Sequence, residues 1–314
     1  MRKSLVFVVV LISLILYAQL VFIGLSAGKW YYWIEPGAYA KYVYVQEQVL
    51  HEEFYFANGS LRGFTNFTLV WTVTDVQGLY ATVDYNLTFY GVKLYTSDYG
   101  WFGPYDDLGN MSFTTTLMMR LDTLELVENG TTWGRWPYWI HGWEVDKNVT
   151  MIYNYPVSPC WMGQLGGEPQ NVTVNLGKSS IGLGTPVYNF TKERLFHAFP
   201  EVTLHIINNK TYGTWTTRFD ALYDSVSLIF VSMWPKNGEM GDGIMYHKLG
   251  VWDIVYKGDV ILVDTNVNFN PSTTPEDETP AVSAWLVAGV ATAIVLPIVG
   301  VALQLKVKRK GKKA

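Results

Sequence analysis

Residues 66–89, NFTLVWTVTDVQGLYATVDYNLTF, decide how this chain folds. In the first half Phe67, Leu69, Trp71 and Val73 alternate with Asn66, Thr68, Val70, Thr72 and Thr74. After Gln77-Gly78, Leu79, Ala81, Val83, Tyr85, Leu87 and Phe89 alternate with Tyr80, Thr82, Asp84, Asn86 and Thr88. Side chains two residues apart share one face of a strand. Two such runs around a glycine turn therefore predict an antiparallel hairpin with one dry and one wet face.

The same pattern continues outward. Strands are predicted near 39–50, 112–119, 148–154, 171–176, 201–207, 211–219, 222–233, 250–256 and 260–267. Turn residues separate them: Asn208-Asn209-Lys210, Lys257-Gly258-Asp259 and the glycine-rich 238–243. No amphipathic helical stripe interrupts the series. The expected fold is an all-β domain over residues 28–269, an antiparallel β-sandwich or open barrel. The irregular stretches 156–167 and 177–184 leave open a division into two lobes near 156–184, although an all-β domain of this length also exists undivided. Residues 270–280, NPSTTPEDETP, read as a polar linker.

The ends differ in kind. Arg2 and Lys3 precede an uncharged run over 4–25, so residues 1–27 read as a signal peptide or an uncleaved signal anchor. Residues 281–305 carry no charge over 25 positions, and six Lys or Arg follow within 306–314. An apolar span with a basic tail is the stop-transfer, positive-inside pattern, which predicts a transmembrane helix in membrane lipid and a cytoplasmic tail. Pro297 is compatible with such a span.

That division reinterprets the net charge of −4. Eight of the 23 Lys and Arg lie in the two ends, while all 27 Asp and Glu lie between Glu35 and Glu278. The segment 28–280 therefore carries 27 acids against 15 bases, a net of −12. An acidic outer domain argues against nucleic acid as a partner.

The sharpest motif signal also lies there. The sequon N-x-[ST], x not proline, begins at Asn58, Asn66, Asn86, Asn110, Asn129, Asn148, Asn171, Asn189 and Asn209. Sixteen asparagines in a chain with 41 Ser and Thr among 314 residues would give about two by chance. Nine sequons on the expected outer side predict covalent N-glycans on an exported chain. Within a strand, the Asn and the Ser or Thr two positions on share a face, so such sequons project outward together.

Signals for catalysis are thin. Cys160 is the sole cysteine and makes no intrachain disulfide. A copper set of Cys160 and Met162 with His197 or His205 lacks the close Cys-to-His-to-Met loop of a blue-copper site. His51, His141, His197, His205 and His247 form no metal-binding spacing. Asp106-Asp107 falls in a stretch, 98–110, whose glycine, proline and tyrosine content suggests an exposed turn. No G-x-S-x-G motif occurs. No cofactor and no catalytic group is expected.

The densest aromatic stretch is WGRWPYWIHGW, residues 133–143. Trp133, Trp136, Tyr138, Trp139 and Trp143 read either as a core plug or as a platform that stacks on sugars. The energetics of burying large aromatics favour the plug.

The order of segments carries a resemblance. PGAYAKY (36–42), the hairpin 71–89, LDTLELVENGTTWGRWPYWI (121–140), FDALYDSVSLIFV (219–231), and a final span with a lysine-rich tail resemble a loose set of uncharacterised archaeal membrane-anchored, N-glycosylated cell-surface proteins. The resemblance implies a cell-envelope glycoprotein and brings no catalytic residue with it. The expectation is a membrane protein with an extracellular domain, structural or acting in recognition, with an envelope partner or a second copy of itself as the contact. Three alternatives stand beside it: a carbohydrate- or solute-binding module using the Trp133–Trp143 cluster, a viral envelope glycoprotein, and a secreted hydrolase.

Overall fold

The period-two segments become strands. The computed structural model describes residues 31–46, 52–56, 61–95, 105–155, 170–200, 202–207, 210–216, 220–233, 239–240, 243–255 and 258–271. In chain order the strands are β1 (Tyr39–Gln46), β2 (Glu52–Phe56), β3 (Leu61–Phe64), β4 (Asn66–Gln77), β5 (Tyr80–Tyr95) and β6 (Tyr105–Arg120). Then come β7 (Glu125–Glu128), β8 (Thr131–Arg135), β9 (Lys147–Tyr155), β10 (Gln170–Lys178), β11 (Leu183–Gly184), β12 (Asn189–Phe190) and β13 (Leu195–Pro200). The series closes with β14 (Val202–Ile207), β15 (Lys210–Thr216), β16 (Ala221–Asp224), β17 (Phe230–Met233), β18 (Glu239–Met240), β19 (Val251–Val255) and β20 (Gly258–Thr265).

The deciding hairpin has the expected form. β4 and β5 pair from Asn66↔Tyr90 to Gln77↔Tyr80 across the turn at Gly78, whose φ of +59° suits glycine. Phe67, Leu69, Trp71, Val73, Ala81, Val83, Tyr85, Leu87 and Phe89 are all fully buried. Their alternates lie on the outer face.

From this hairpin one antiparallel sheet of sixteen strands spreads in both directions. One way it runs β5–β6–β7–β8; the other way it runs β4–β1–β20–β17–β16–β13–β10–β9. A side branch, β3–β2–β19–β18, leaves β5 at its far end, where Arg62 and Gly63 pair with Leu94 and Lys93. β11–β12 and β14–β15 form two small hairpins of their own. The large sheet twists and curls until it is nearly closed into a barrel, the usual way an extended antiparallel sheet disposes of its edges. The all-β expectation therefore holds, in a barrel-like form.

Several boundaries move. β2, β3, β7, β8 and β13, and the two-residue β11, β12 and β18, have no counterpart among the predicted strands. The predicted strand 222–233 is two strands, β16 and β17, separated by a turn in which Leu228 takes a φ of +63°. Asp106 and Asp107 belong to β6 rather than to a loop, paired with Leu94 and Lys93, and both are exposed. Residues 27–270 form one compact unit. Of the stretch expected to divide the domain into lobes, 156–169 lies outside the described residues, and the strands on either side of it, β9 and β10, pair with each other.

Both ends of this unit meet. Gly37 and Tyr39 are tied to Asn266: Asn266 Nδ2 donates to Gly37 O at 2.9 Å, and Tyr39 N donates to Asn266 Oδ1 at 3.0 Å. The Tyr32 hydroxyl donates to Asn268 O, and Arg194 reaches both Phe269 O and, at 2.9 Å, Asn270 Oδ1. The expected leader or anchor at 1–27, the linker beyond 271, the span at 281–305 and the tail at 306–314 lie outside the described residues. Among the described residues no helix is long and apolar enough to cross a membrane.

Candidate functional site

The aromatic stretch 133–143 resolves first, because it occupies the interior. Trp136, Trp139 and Ile140 are completely buried, and Tyr138 and His141 nearly so. Trp139 meets Trp33, Trp71, Trp136 and Tyr31 with ring centroids 4.9 to 5.6 Å apart, mostly edge to face. Its backbone forms a lone bridge with Ile229. Hydroxyls tie this segment to the surrounding strands: Tyr31 donates to Ile140 O at 3.0 Å, Tyr223 donates to Pro137 O at 2.7 Å, and Tyr138 and Tyr85 share a bond of 3.0 Å. The segment is thus a plug around which the sheet curls.

This corrects one candidate. A platform for sugar stacking needs an open ring face, and Trp136, Tyr138 and Trp139 have none. Their area is worth more inside, where each large aromatic buries roughly 150–250 Å². Only Trp143, 46% exposed and stacked on His141 at 3.9 Å, and half-buried Trp133 reach the surface.

A polar cluster borders the plug. Arg135 Nη2 donates to Glu144 Oε2 at 2.7 Å, and the same carboxylate oxygen accepts from His141 N at 2.9 Å. His141 Nδ1 lies 3.1 Å from the Tyr31 hydroxyl. Burial, only partly offset by Glu144, pushes the His141 pKa down to about 4, so its ring is neutral at pH 7. A second cluster centres on Asp224, which is wholly buried. It accepts from Arg194 Nε, Ser227 N and Ser227 Oγ, each at 2.7 Å. The Asp224 cluster is inward with its hydrogen bonds made, the arrangement of a structural ion pair, whereas beside Glu144 the Nε of Arg135 stays buried with no acceptor among the described residues.

The surface is where the other candidates collect. Asn86, Asn110, Asn129, Asn148, Asn171 and Asn189 are exposed; Asn66 is half-buried, its Oδ1 enclosed. Asn58 and Asn209 lie outside the described residues. Register then gathers the sequons into groups that spacing along the chain does not reveal. On the outer face of β4–β5–β6, Thr68, Thr88 and Ser112 fall in one row across the strands, each the hydroxyl residue of a different sequon. Thr88 Oγ1 lies 2.9 Å from Ser112 Oγ and donates to Asn86 Oδ1 at 3.0 Å. On β9–β10 the same device recurs. Thr150 pairs with Thr173, their hydroxyls 3.2 Å apart, and Asn148 Oδ1 accepts from Asn175 at 3.0 Å.

Among the described residues the remaining candidates do not assemble. His197 on β13 forms a close pair with Asp220, just before β16, and its ring lies tilted against Phe199. The side chains of Cys160, Met162 and His205 lie outside the described residues. Among the described residues no three His, Cys, Asp or Glu side chains gather in a metal-binding group. The chain matches no protein-family description, curated protein or solved structure with which it was compared.

Proposed function

We propose that this chain is a membrane-anchored, N-glycosylated protein of the cell surface, with a structural or recognition role in the envelope. One observation carries the reading. Six of the seven sequon asparagines with described side chains are exposed, and five of the sequons sit on two outward faces of adjoining strands. Glycans there would coat the barrel wall while leaving its core untouched. They would also guard an edge. Among the described residues β9 ends the long path of the sheet, and an unpaired strand edge invites addition of a foreign strand. A sugar on Asn148, at the start of β9, obstructs that approach.

The anchor and the export signal rest on residues 1–27 and 281–314, whose apolar runs and basic flanks supply the argument. The sequon-free stretch 212–269, beyond Asn209, then supplies the contact for an envelope partner or a second copy, through positions outside the fully buried β16 and β17.

The test is expression of the full chain in a host that exports and N-glycosylates. Glycopeptide mass spectrometry is then read together with protease shaving of intact cells. Occupied sequons, peptides of 31–270 released from outside and a protected tail at 306–314 are expected. Nine bare sequons, or a domain shielded inside the cell, would overturn the proposal.

A further inference from the structure

One sequon has a groove beside it. β7 and β8 are joined by Asn129-Gly130, with φ values of +50° and +76°, the left-handed pair that a two-residue hairpin turn requires. That turn sets Asn129 at the mouth of an open groove of about 260 Å³. Met118, Val127 and Trp133 give it an apolar floor, and Thr82 and Thr116 bring hydroxyls from β5 and β6. At the rim, Lys248 is ion-paired to Glu128, its Nζ 4.9 Å from the centre of the Trp133 ring.

We infer that the first sugars of a glycan on Asn129 lie in this groove, packed against Trp133 and Met118 and hydrogen-bonded by Lys248 and Glu128. The inference rests on the reading of Asn129 as an occupied glycosylation site. The chemistry of the groove suits that occupant. A sugar ring presents a C–H face that packs on an aromatic ring, and hydroxyls that bond to an ammonium, a carboxylate or a threonine. The volume is slightly below the ~300–1,000 Å³ of sites for drug-sized ligands, which suits one or two rings rather than a long chain. Met118, 40% exposed, is the open apolar surface that such a ring would cover.

Attachment supplies the rest. A free monosaccharide would bind such a shallow groove weakly, but a short tether raises its effective concentration to roughly millimolar or more. The glycan then acts as an intramolecular ligand that clasps β6, β7, β8 and the turn Met245–Leu249 together.

The test is a four-way comparison on the full-length glycosylated protein. Thr131→Ser keeps the sequon and Thr131→Ala removes it, both leaving the left-handed Asn129 in place. Each is made with Trp133 and with Trp133→Leu. With Trp133 present, loss of the glycan is expected to lower Tm by about 2–4 °C and to speed amide exchange over residues 128–135. In the Trp133→Leu background the same change is expected to leave Tm within about 1 °C, since the ring that the sugar covers is gone. Equal shifts in both backgrounds would overturn the inference while leaving glycosylation intact. Glycopeptide mass spectrometry of the Thr131→Ser protein separates the two ideas: a bare Asn129 removes the inference together with the site it rests on. Should Trp133→Leu fail to fold, exchange over 128–135 in the two Trp133 proteins decides alone, with identical protection counting against the groove.

Discussion

Replacing Trp139 by alanine tests whether the segment 136–141 is a plug. The indole is completely buried and has four aromatic neighbours within 5.6 Å. Truncating a buried tryptophan costs about 3–5 kcal/mol, the larger figure where neighbours cannot collapse into the void. Here Trp71 is held in β4, and Trp33 and Tyr31 are pinned by hydrogen bonds to Ser227 O and Ile140 O, so relaxation is limited and the upper half of that range applies. In a domain of this size each kcal/mol moves Tm by about 2–4 °C, so the expected loss is about 8–20 °C. Trp139→Phe should retain more than half of the lost stability. It keeps most of the packing and deletes an indole N–H that is buried without an acceptor among the described residues. Trp143→Ala, by contrast, removes a ring that is 46% exposed and stacked on His141, a contact worth about 1 kcal/mol. Thermal unfolding followed by near-ultraviolet circular dichroism reads all three. A Trp139→Ala loss no greater than that of Trp143→Ala would refute the plug and return the cluster to the surface.

Three further outcomes are expected. His141 has a folded pKa of about 4 against about 6.5 when unfolded, so the unfolded state takes the proton first. Stability is therefore lost as pH falls from about 6.5 to 4, by at most about 3 kcal/mol, and urea titrations at pH 7.5 and 4.5 should show a smaller difference in His141→Phe. Asp224→Ala leaves the Arg194 guanidinium without its buried partner and should cost about 3–5 kcal/mol, whereas Glu193→Ala, on the neighbouring exposed carboxylate, should change stability by less than about 0.5 kcal/mol. Gly91→Ala should cost about 1–3 kcal/mol in denaturant unfolding, because φ is +60° and the new Cβ would stand 2.8 Å from Thr65 Oγ1. Gly134→Ala, whose nearest neighbour would be Leu126 at 3.6 Å, should be milder.

How much of this was legible depended on whether the information was local. The β4–β5 hairpin was readable residue by residue, since a strand with one dry face displays its burial as alternation. β16 and β17 were not, because all eight of their residues are buried and the alternation vanishes. Their dividing turn is made by the Asp224 side chain bonding back to Ser227, within a run that otherwise reads as apolar strand. β7 and β8 are too short for a period to register. The sequons were found at once, but not their grouping: Thr150 and Thr173 become neighbours only through a register that joins positions twenty-three residues apart in sequence. The partners of Trp133 were equally hidden, for Lys248 reaches it from the far end of the chain.

The meeting of the two ends of the unit has a mechanical consequence. β1 leaves from Tyr39 and β20 arrives at Thr265, and these antiparallel neighbours pair at Ala40↔Thr265 right beside that point. A pull applied between residues 31 and 270 therefore opens the β1–β20 ladder like a zipper, one rung after another, instead of shearing all rungs together. Its first resistance comes from the clasps outside the ladder, Asn266 on Gly37 and Arg194 on Phe269 and Asn270.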